Sequence, residues 1–126
     1  MKIRVEITQE PIVARGVAAT EVLVGAVVEF AGVVRGEEDG RSIAGLDYEA
    51  YAAMARAEME RIAGELSVTY PCECLEVTHR IGHVPVGQAS ILVRIEAKHR
   101  AEAFGMLAEF MNRMKRDVPI WKKVVA

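Results

Sequence analysis

Residues 89–123, ASILVRIEAKHRAEAFGMLAEFMNRMKRDVPIWKK, contain a predicted strand, a predicted helix and an extended segment in direct succession. The first nine residues alternate between apolar and polar side chains, which predicts a strand. Its inward side chains would be Ile91, Val93 and Ile95, and its outward ones Arg94 and Glu96. Apolar side chains then recur at helical spacing from about Arg100 to Lys115, on a face that includes Phe104.

Pro119 separates this helix from the segment that follows it. Proline lacks an N–H and pushes Val118 towards extended geometry, so the helix is expected to end near residues 116–117. The apolar segment after it could pack back on the domain and bring Lys122 towards Lys115. Two neighbouring ammonium groups repel, and part burial disfavours their charge, so one lysine is expected to be neutral near pH 7 and usable as a base or nucleophile.

The alternative for the same segment is a basic, solvated tail anchored by Trp121. Perturbed lysines indicate a functional site without proving one. From the segment alone, this structural interpretation stays open.

Upstream of these elements, residues 2–8 alternate and predict a strand. Residues 18–24 could form a short helix. Residues 26–49 predict a β-hairpin with the polar stretch RGEEDGRS as its turn, and Gly32 marks a bulge or a close backbone approach.

An apolar stripe at spacings of three and four predicts a helix over residues 51–66. Residues 73–81 alternate as a strand, and residues 82–87, GHVPVG, form a predicted turn. The resulting order of strands, helix, strands and helix is not strictly alternating. It therefore predicts an α+β domain with a mixed or mostly antiparallel sheet and two main helices.

The composition fits one globular domain over residues 1–126, since 52% of the residues are hydrophobic and 27% are charged. No apolar run approaches the ~20 residues that span a bilayer. The N-terminus lacks a signal-peptide apolar region, which indicates a cytoplasmic protein. Residues 111–126 carry five basic residues and one acidic residue in a chain of net charge −2, which favours a small anionic ligand over nucleic acid.

Three further cations could contact such a ligand. His99 and Arg100 lie where a strand ends and a helix starts, and free N–H groups and the helix dipole favour anions there. Arg35 follows a strand and could hold an oxyanion through two parallel hydrogen bonds. The alternatives are that His99 is a local cap, that Arg100 is a solvated residue of the first helical turn, and that Arg35 is an exposed hairpin residue.

The cysteines and the remaining histidines do not indicate a metal site. Cys72 and Cys74 form a C-x-C, whose disulfide would be strained, so both are predicted to be reduced. His79 and His83 have a spacing that suits zinc on a helix, but they fall on a predicted strand and turn. His79 is more readily interpreted as a hydrogen-bonded histidine within the sheet.

Several segments together resemble the large, catalytic subunit of molybdopterin synthase. They run in the same order over nearly the whole chain, and they are GAVVEFAGVVRG at 25–36, LDYEAYAAMA at 46–55, HRIGHVPVG at 79–87, KHRAEAF at 98–104 and MKRDVPIWKK at 114–123. The resemblance implies an α/β-hammerhead fold and a large-subunit dimer. One small, ubiquitin-like sulfur-carrier subunit would dock on each protomer to give a heterotetramer.

The resemblance also implies the reaction and its residues. The carrier bears a thiocarboxylate on its C-terminal Gly-Gly, and its sulfur is transferred to cyclic pyranopterin monophosphate to form the dithiolene of molybdopterin. No metal or redox cofactor is needed for this transfer. The residues that match the family's site are Lys115 and Lys122 as catalytic lysines, Arg35, Phe30 and Met111 in the pocket, and His99 and Arg100 reaching the pocket from the neighbouring large subunit.

The chain departs from the family pattern at two places. It ends at Ala126, where members usually continue with an acidic residue and a tail that contains another tryptophan, and it has Asn112 where an aspartate is commoner. These departures keep an alternative open, in which the chain is a non-catalytic module that binds the small subunit or an anionic pterin.

Overall fold

The computed structural model describes residues 1–126 and contains nine strands and two helices. The strands are β1 (Lys2–Thr8), β2 (Ala26–Val33), β3 (Glu37–Glu38), β4 (Arg41–Ser42), β5 (Gly45–Ala50), β6 (Cys74–Arg80), β7 (Gly82–Pro85), β8 (Ala89–Ala97) and β9 (Ile120–Val125), and the helices are α1 (Ala52–Leu66) and α2 (Arg100–Asp117). Neither helix combines the length and the hydropathy of a membrane span. The arrangement confirms the predicted α+β class with two main helices.

The main core lies between the two helices and a four-stranded sheet of order β1-β6-β8-β2. In this sheet β1 and β6 are parallel and the other neighbours are antiparallel. Apolar residues at alternate positions of β6 and β8 face the helices, as the sequence predicts. The fully buried side chains of this core include Leu75, Val77, Val93 and Ile95 from the sheet and Met59, Ile62, Met106 and Phe110 from the helices.

A second, three-stranded sheet has the order β7-β5-β9, and all its pairings are antiparallel. It covers a small core of Val34, Leu46 and Val84. The strands β3 and β4 form a separate two-stranded hairpin. This hairpin and the second sheet lie on the side of the molecule where α2 ends.

The predicted break at Pro119 is confirmed. Helix α2 ends at Asp117, and Val118 has extended geometry with φ −86° and ψ 131°. The chain then returns as β9 along β5, with Lys122 opposite Tyr48. The return places Lys122 on the same side of the domain as the C-terminal end of α2.

The predicted hairpin over residues 26–49 is wrong. Strand β2 pairs with β8 from Ala26↔Ala97 onward, whereas β5 pairs with β7 and β9 in the other sheet. The turn between them instead folds on itself as the β3–β4 hairpin. Two alternating segments joined by a polar turn fit this arrangement equally well, because periodicity does not identify the partner of a strand.

The predicted short helix at 18–24 is also wrong, because this segment bonds to the outer face of the large sheet. Carbonyl groups of Gly16 and Ala18 accept hydrogen bonds from Arg94. The backbone N–H and hydroxyl of Thr20 donate to Glu96 at 2.8 and 2.9 Å. We call these five residues the sheet cluster. Residues 16–20 cover Arg94 and Glu96 and bury them. The sequence correctly places both side chains on the outward face of β8, but it does not predict that this face is covered.

The structure also tests the predictions for Gly32, for the turn at residues 82–87 and for Phe104. The bulge predicted at Gly32 is confirmed by a register shift between Gly32 and Val33. Residues 82–85 of the predicted turn form β7, because they pair with β5. Phe104 is 58% exposed, so the buried face of α2 lies beside it and includes Met106 instead.

Candidate active site

A cavity of about 540 Å³ opens between the two sheets at the C-terminal end of α2. Strand β2 and the segment after it, strand β5, the end of α2 and strand β9 all contribute side chains. The cavity is lined by Phe30, Gly32, Val33, Val34, Arg35, Glu38, Leu46, Tyr48, His79, Ser90, Ile91, Met111, Met114, Lys115, Val118, Ile120 and Lys122. Five of the seven predicted site residues therefore meet in one pocket.

The two lysines reach the pocket from either side of Pro119, on helix α2 and strand β9. Lys115 takes part in none of the ion pairs of the structure, whereas Lys122 takes part in one. Both side chains are exposed. The part burial on which the prediction of a neutral lysine relied is therefore absent, because each side chain extends from the rim of the pocket into solvent.

Arg35 and Glu38 form the polar side of the pocket opposite the helix. Arg35 follows β2 directly after the buried Val34, which fixes its backbone at the pocket edge. Glu38 Oε1 lies 3.7 Å from Arg35 Nη2 and 3.7 Å from Lys122 Nζ. One carboxylate thus lies between two of the three pocket cations.

Phe30 and Met111 form part of the apolar wall, as the family resemblance implies. Phe30 is on the edge strand β2 and is 37% exposed, and Met111 is half-buried on α2. An apolar wall beside the cations excludes water from one side of a bound anion and strengthens its electrostatic attraction. Their position makes both residues suitable for contact with a flat ring.

His99 and Arg100 do not line this pocket. They begin α2, and a helix rises ~1.5 Å per residue, so Arg100 is about 22 Å along the axis from Lys115. His99 occupies the N-cap position of α2, but its side chain forms no capping bond. Their approach to a neighbouring protomer's pocket remains a prediction.

His79 forms part of the pocket floor and is only 4% exposed. Its Nδ1 lies 2.8 Å from the Arg80 carbonyl oxygen, so this nitrogen carries the proton and donates it. The ring meets Tyr48 edge-on, with centroids 5.1 Å apart. Burial lowers the pKa of His79, and the bond to Arg80 opposes this only in part, so the ring is neutral at pH 7.

The other residues considered for chemistry lie away from the pocket. His83 Nδ1 is 2.9 Å from Asp47 Oδ1 on the neighbouring strand, so the two rings of the H-x-x-x-H pair have separate partners. Cys72 and Cys74 are free and buried, in agreement with the prediction of reduced thiols. Burial raises the pKa of Cys72 to about 11, which leaves this thiol protonated and unreactive at pH 7.

Glu38 and His79 are among the pocket residues that the sequence does not predict for this site. Glu38 lies in the predicted polar turn RGEEDGRS, where the adjacent Asp39-Gly40 is a strong signal for a tight hairpin. His79 was correctly placed in the sheet, but its position in the pocket depends on the crossing of the two sheets. No local pattern encodes that crossing.

The pocket combines three cations, one carboxylate and an apolar wall. Such a site attracts an anion, and the two flexible lysines can donate a proton to a bound ligand as ammonium groups or accept one as neutral amines. These properties suit a phosphate-bearing, partly apolar molecule. The chain is therefore an α+β protein with a cationic pocket that is open to solvent and suited to an anionic ligand.

The chain belongs to the MoaE protein family, whose model matches residues 7–117. Two relatives named "Molybdopterin synthase catalytic subunit" are similar to it. That from Pyrococcus abyssi is 46% identical over 80% of the chain, and that from Homo sapiens is 36% identical over 82%. The matched part spans 68% of the archaeal relative and 55% of the human one.

Two solved structures show the same fold. Molybdopterin synthase from Staphylococcus aureus is 32% identical, with a TM-score of 0.85 over 95% of this chain and 89% of that one. A complex of subunits 1 and 2 of molybdopterin-converting factor from Helicobacter pylori is 24% identical, with a TM-score of 0.69 over 98% and 88%. The second likeness concerns the fold alone.

Proposed function

We propose that this chain is the catalytic subunit of a molybdopterin synthase, which transfers sulfur to cyclic pyranopterin monophosphate. The observation that carries the proposal is the meeting of Arg35, Lys115 and Lys122 in one pocket of a MoaE family member. The relatives named above are catalytic subunits, which favours an enzyme over a non-catalytic binding module.

The proposed step exchanges oxygen for sulfur at a carbon of the pterin side chain. The sulfur of a thiocarboxylate forms a bond to that carbon, and the displaced oxygen leaves as water. Hydrolysis of the resulting thioester leaves the sulfur on the pterin and returns the carrier as a carboxylate. Each exchange consumes no electrons, because thiocarboxylate and C–OH become carboxylate and C–SH.

The pocket residues have distinct roles in this proposal. Arg35 and Lys122 hold the phosphate, since a guanidinium and an ammonium suit its oxygens. Lys115 protonates the departing oxygen as an ammonium, or deprotonates the attacking group as a neutral amine, because its backbone is fixed on α2 and its side chain has no carboxylate partner. Phe30 and Met111 contact the pterin ring.

The sulfur donor in this proposal is a small ubiquitin-like subunit whose C-terminal Gly-Gly thiocarboxylate enters the pocket. The cations and the half-open shape of the cavity support the entry of an anionic tail. His99 and Arg100 would complete the pocket of a neighbouring protomer in a dimer within a heterotetramer. We place the protein in the cytoplasm, where free thiols such as Cys72 and Cys74 persist.

A reconstituted assay tests the proposal. The protein is mixed with the thiocarboxylated small subunit and cyclic pyranopterin monophosphate, and dithiolene product is quantified. Product is expected from the wild type. Absence of product while the small subunit still binds would contradict the proposed activity and favour the binding module.

A further inference from the structure

Glu38 lies on the short β3–β4 hairpin, which belongs to neither of the two larger sheets and places this residue at the pocket. Asp39 and Gly40 have φ values of 50° and 78°, as the two central residues of a type I′ turn require. The turn pairs Glu38 with Arg41 and directs the Glu38 side chain, which is 18% exposed, into the pocket lining.

The carboxylate of Glu38 lies between two cations without a direct hydrogen bond to either. The distances from Oε1 to Arg35 Nη2 and to Lys122 Nζ are both 3.7 Å, which exceeds hydrogen-bond length. The side chains of Arg35 and Lys122 are 77% and 54% exposed. The contact is therefore electrostatic, and solvent weakens it enough for another anion to replace it.

The hairpin makes few backbone hydrogen bonds to the rest of the fold. Its ladder contains only two residue pairs, Glu37↔Ser42 and Glu38↔Arg41, and it is not part of either larger sheet. One backbone bond, from Ile43 N–H to the Gly36 carbonyl, closes its base at 3.0 Å. An isolated two-stranded hairpin is at most marginally stable, so displacing it costs little.

We propose that Glu38 is an internal occupant of the phosphate position in this pocket. Without substrate its carboxylate offsets part of the positive charge of Arg35 and Lys122, and the phosphate of the substrate displaces it together with the hairpin. The inference rests on the proposed function, because that function supplies the phosphate. In this role Glu38 sets the affinity of the pocket for phosphate and lowers its tendency to bind unrelated anions.

A different role for Glu38 would have the opposite effect on binding. A carboxylate can accept hydrogen bonds from the amino and ring N–H groups of a pterin, and removal of its charge would then weaken the substrate. An internal occupant instead competes with the ligand, so removal of its charge strengthens binding. The sign of the change separates the two roles.

The test is calorimetric titration of inorganic phosphate into the wild type and E38Q, which keeps the side-chain size and removes the charge. Two partly exposed ion pairs are lost, so a Kd about fivefold lower is expected for E38Q. The matched control is E37Q, since Glu37 has the same charge on the same hairpin but does not line the pocket. Its Kd should stay within about twofold of wild type, because Glu37 is exposed and forms no ion pair with Arg35 or Lys122, so solvent screens its charge.

Several results would overturn the inference. They are an unchanged or higher Kd for E38Q, an equal gain in E37Q, and no phosphate binding by either wild type or E38Q. A parallel titration with a peptide ending in a Gly-Gly carboxylate separates the two possible anions, and a gain for the peptide alone would overturn the assignment to phosphate. Because no sulfur is transferred in these titrations, their outcome is independent of whether the reconstituted assay yields product.

Discussion

Two groups of charged residues in this protein are organised in opposite ways. In the pocket cluster, defined as Arg35, Glu38, Lys115 and Lys122, the three cations are exposed and both ion pairs of Glu38 are 3.7 Å long. In the sheet cluster, Glu96 is fully buried and accepts hydrogen bonds from Thr20 and Arg94 at 2.8 to 3.3 Å. Charged groups whose hydrogen bonds are made within the protein thus stabilise the fold, whereas charged groups that lack such partners remain available to a ligand.

The pKa of Glu96 shows how complete its set of partners is. Burial raises the pKa of this carboxyl, but hydrogen bonds from Thr20 and the neighbouring Arg94 outweigh burial and hold the pKa below its ordinary value. The carboxylate is therefore charged at pH 7 although it is inaccessible to solvent. Three hydrogen bonds are made to this carboxylate and none of its surface is open to a ligand, so the sheet cluster has a structural role.

The largest effect is expected from breaking the sheet cluster. The variant Arg94→Ala would leave the Glu96 carboxylate buried without its cation and the Gly16 and Ala18 carbonyls without their donor. We expect the free energy of unfolding to fall by about 3–5 kcal/mol, measured by urea denaturation.

Arg61→Ala is the control for that variant, because Arg61 has two carboxylate partners, Glu58 and Glu65, but lies on the exposed side of α1. Its loss should cost at most about 1 kcal/mol. Equal losses in the two variants would contradict the distinction between buried and exposed pairs.

The next effect is expected from the unpaired lysine of the pocket cluster. Lys115→Ala removes the proposed acid or base, and we expect turnover to fall about 10²- to 10³-fold. Its free energy of unfolding should change by less than about 0.5 kcal/mol, as is usual for exposed side chains. Single-turnover product formation measures the rate, and Lys123→Ala is the matched control, since Lys123 is exposed and does not line the pocket.

A smaller effect is expected from the phosphate-binding arginine. Arg35→Ala should raise KM for the pterin about tenfold with a smaller change in kcat, because a charge-assisted hydrogen bond to phosphate is lost. Arg41→Ala is the control, since Arg41 is on the adjacent hairpin outside the pocket. A similar KM for both variants would place the phosphate elsewhere.

The smallest effect concerns His79 and pH. Burial lowers its pKa in the folded protein, so the unfolded chain binds more protons between that pKa and the unperturbed value of about 6.5. The free energy of unfolding should therefore fall as the pH drops below about 6.5. The dependence should be weaker in His79→Gln, and identical pH profiles would exclude a contribution from this ring.

Local features of this molecule are predictable from the sequence, whereas contacts between distant segments are not. The core face of β8, the break at Pro119 and the bulge at Gly32 are local patterns, and all three are confirmed. The partner of β2 and the conformation of residues 18–24 were predicted wrongly. Both depend on contacts between distant segments, and bonds to Arg94 and Glu96 outweigh any helical preference of residues 18–24.

The pocket was predicted more completely than the sheet cluster. Its cations could be named because the family resemblance carries them residue by residue, and the structure brings Arg35, Lys115 and Lys122 together. Glu38 was missed because acidic residues in a polar turn are usually solvated. Its place between two cations depends on the type I′ geometry of Asp39 and Gly40 and on the return of β9.

The most direct test of the distinction between the two clusters measures turnover and unfolding free energy together for Lys115→Ala and Arg94→Ala. We predict that Lys115→Ala keeps its stability and loses turnover, whereas Arg94→Ala loses stability and keeps near-normal turnover per folded molecule at low temperature. The contradictory result would be a Lys115→Ala protein that turns over normally, or an Arg94→Ala protein that is stable and inactive.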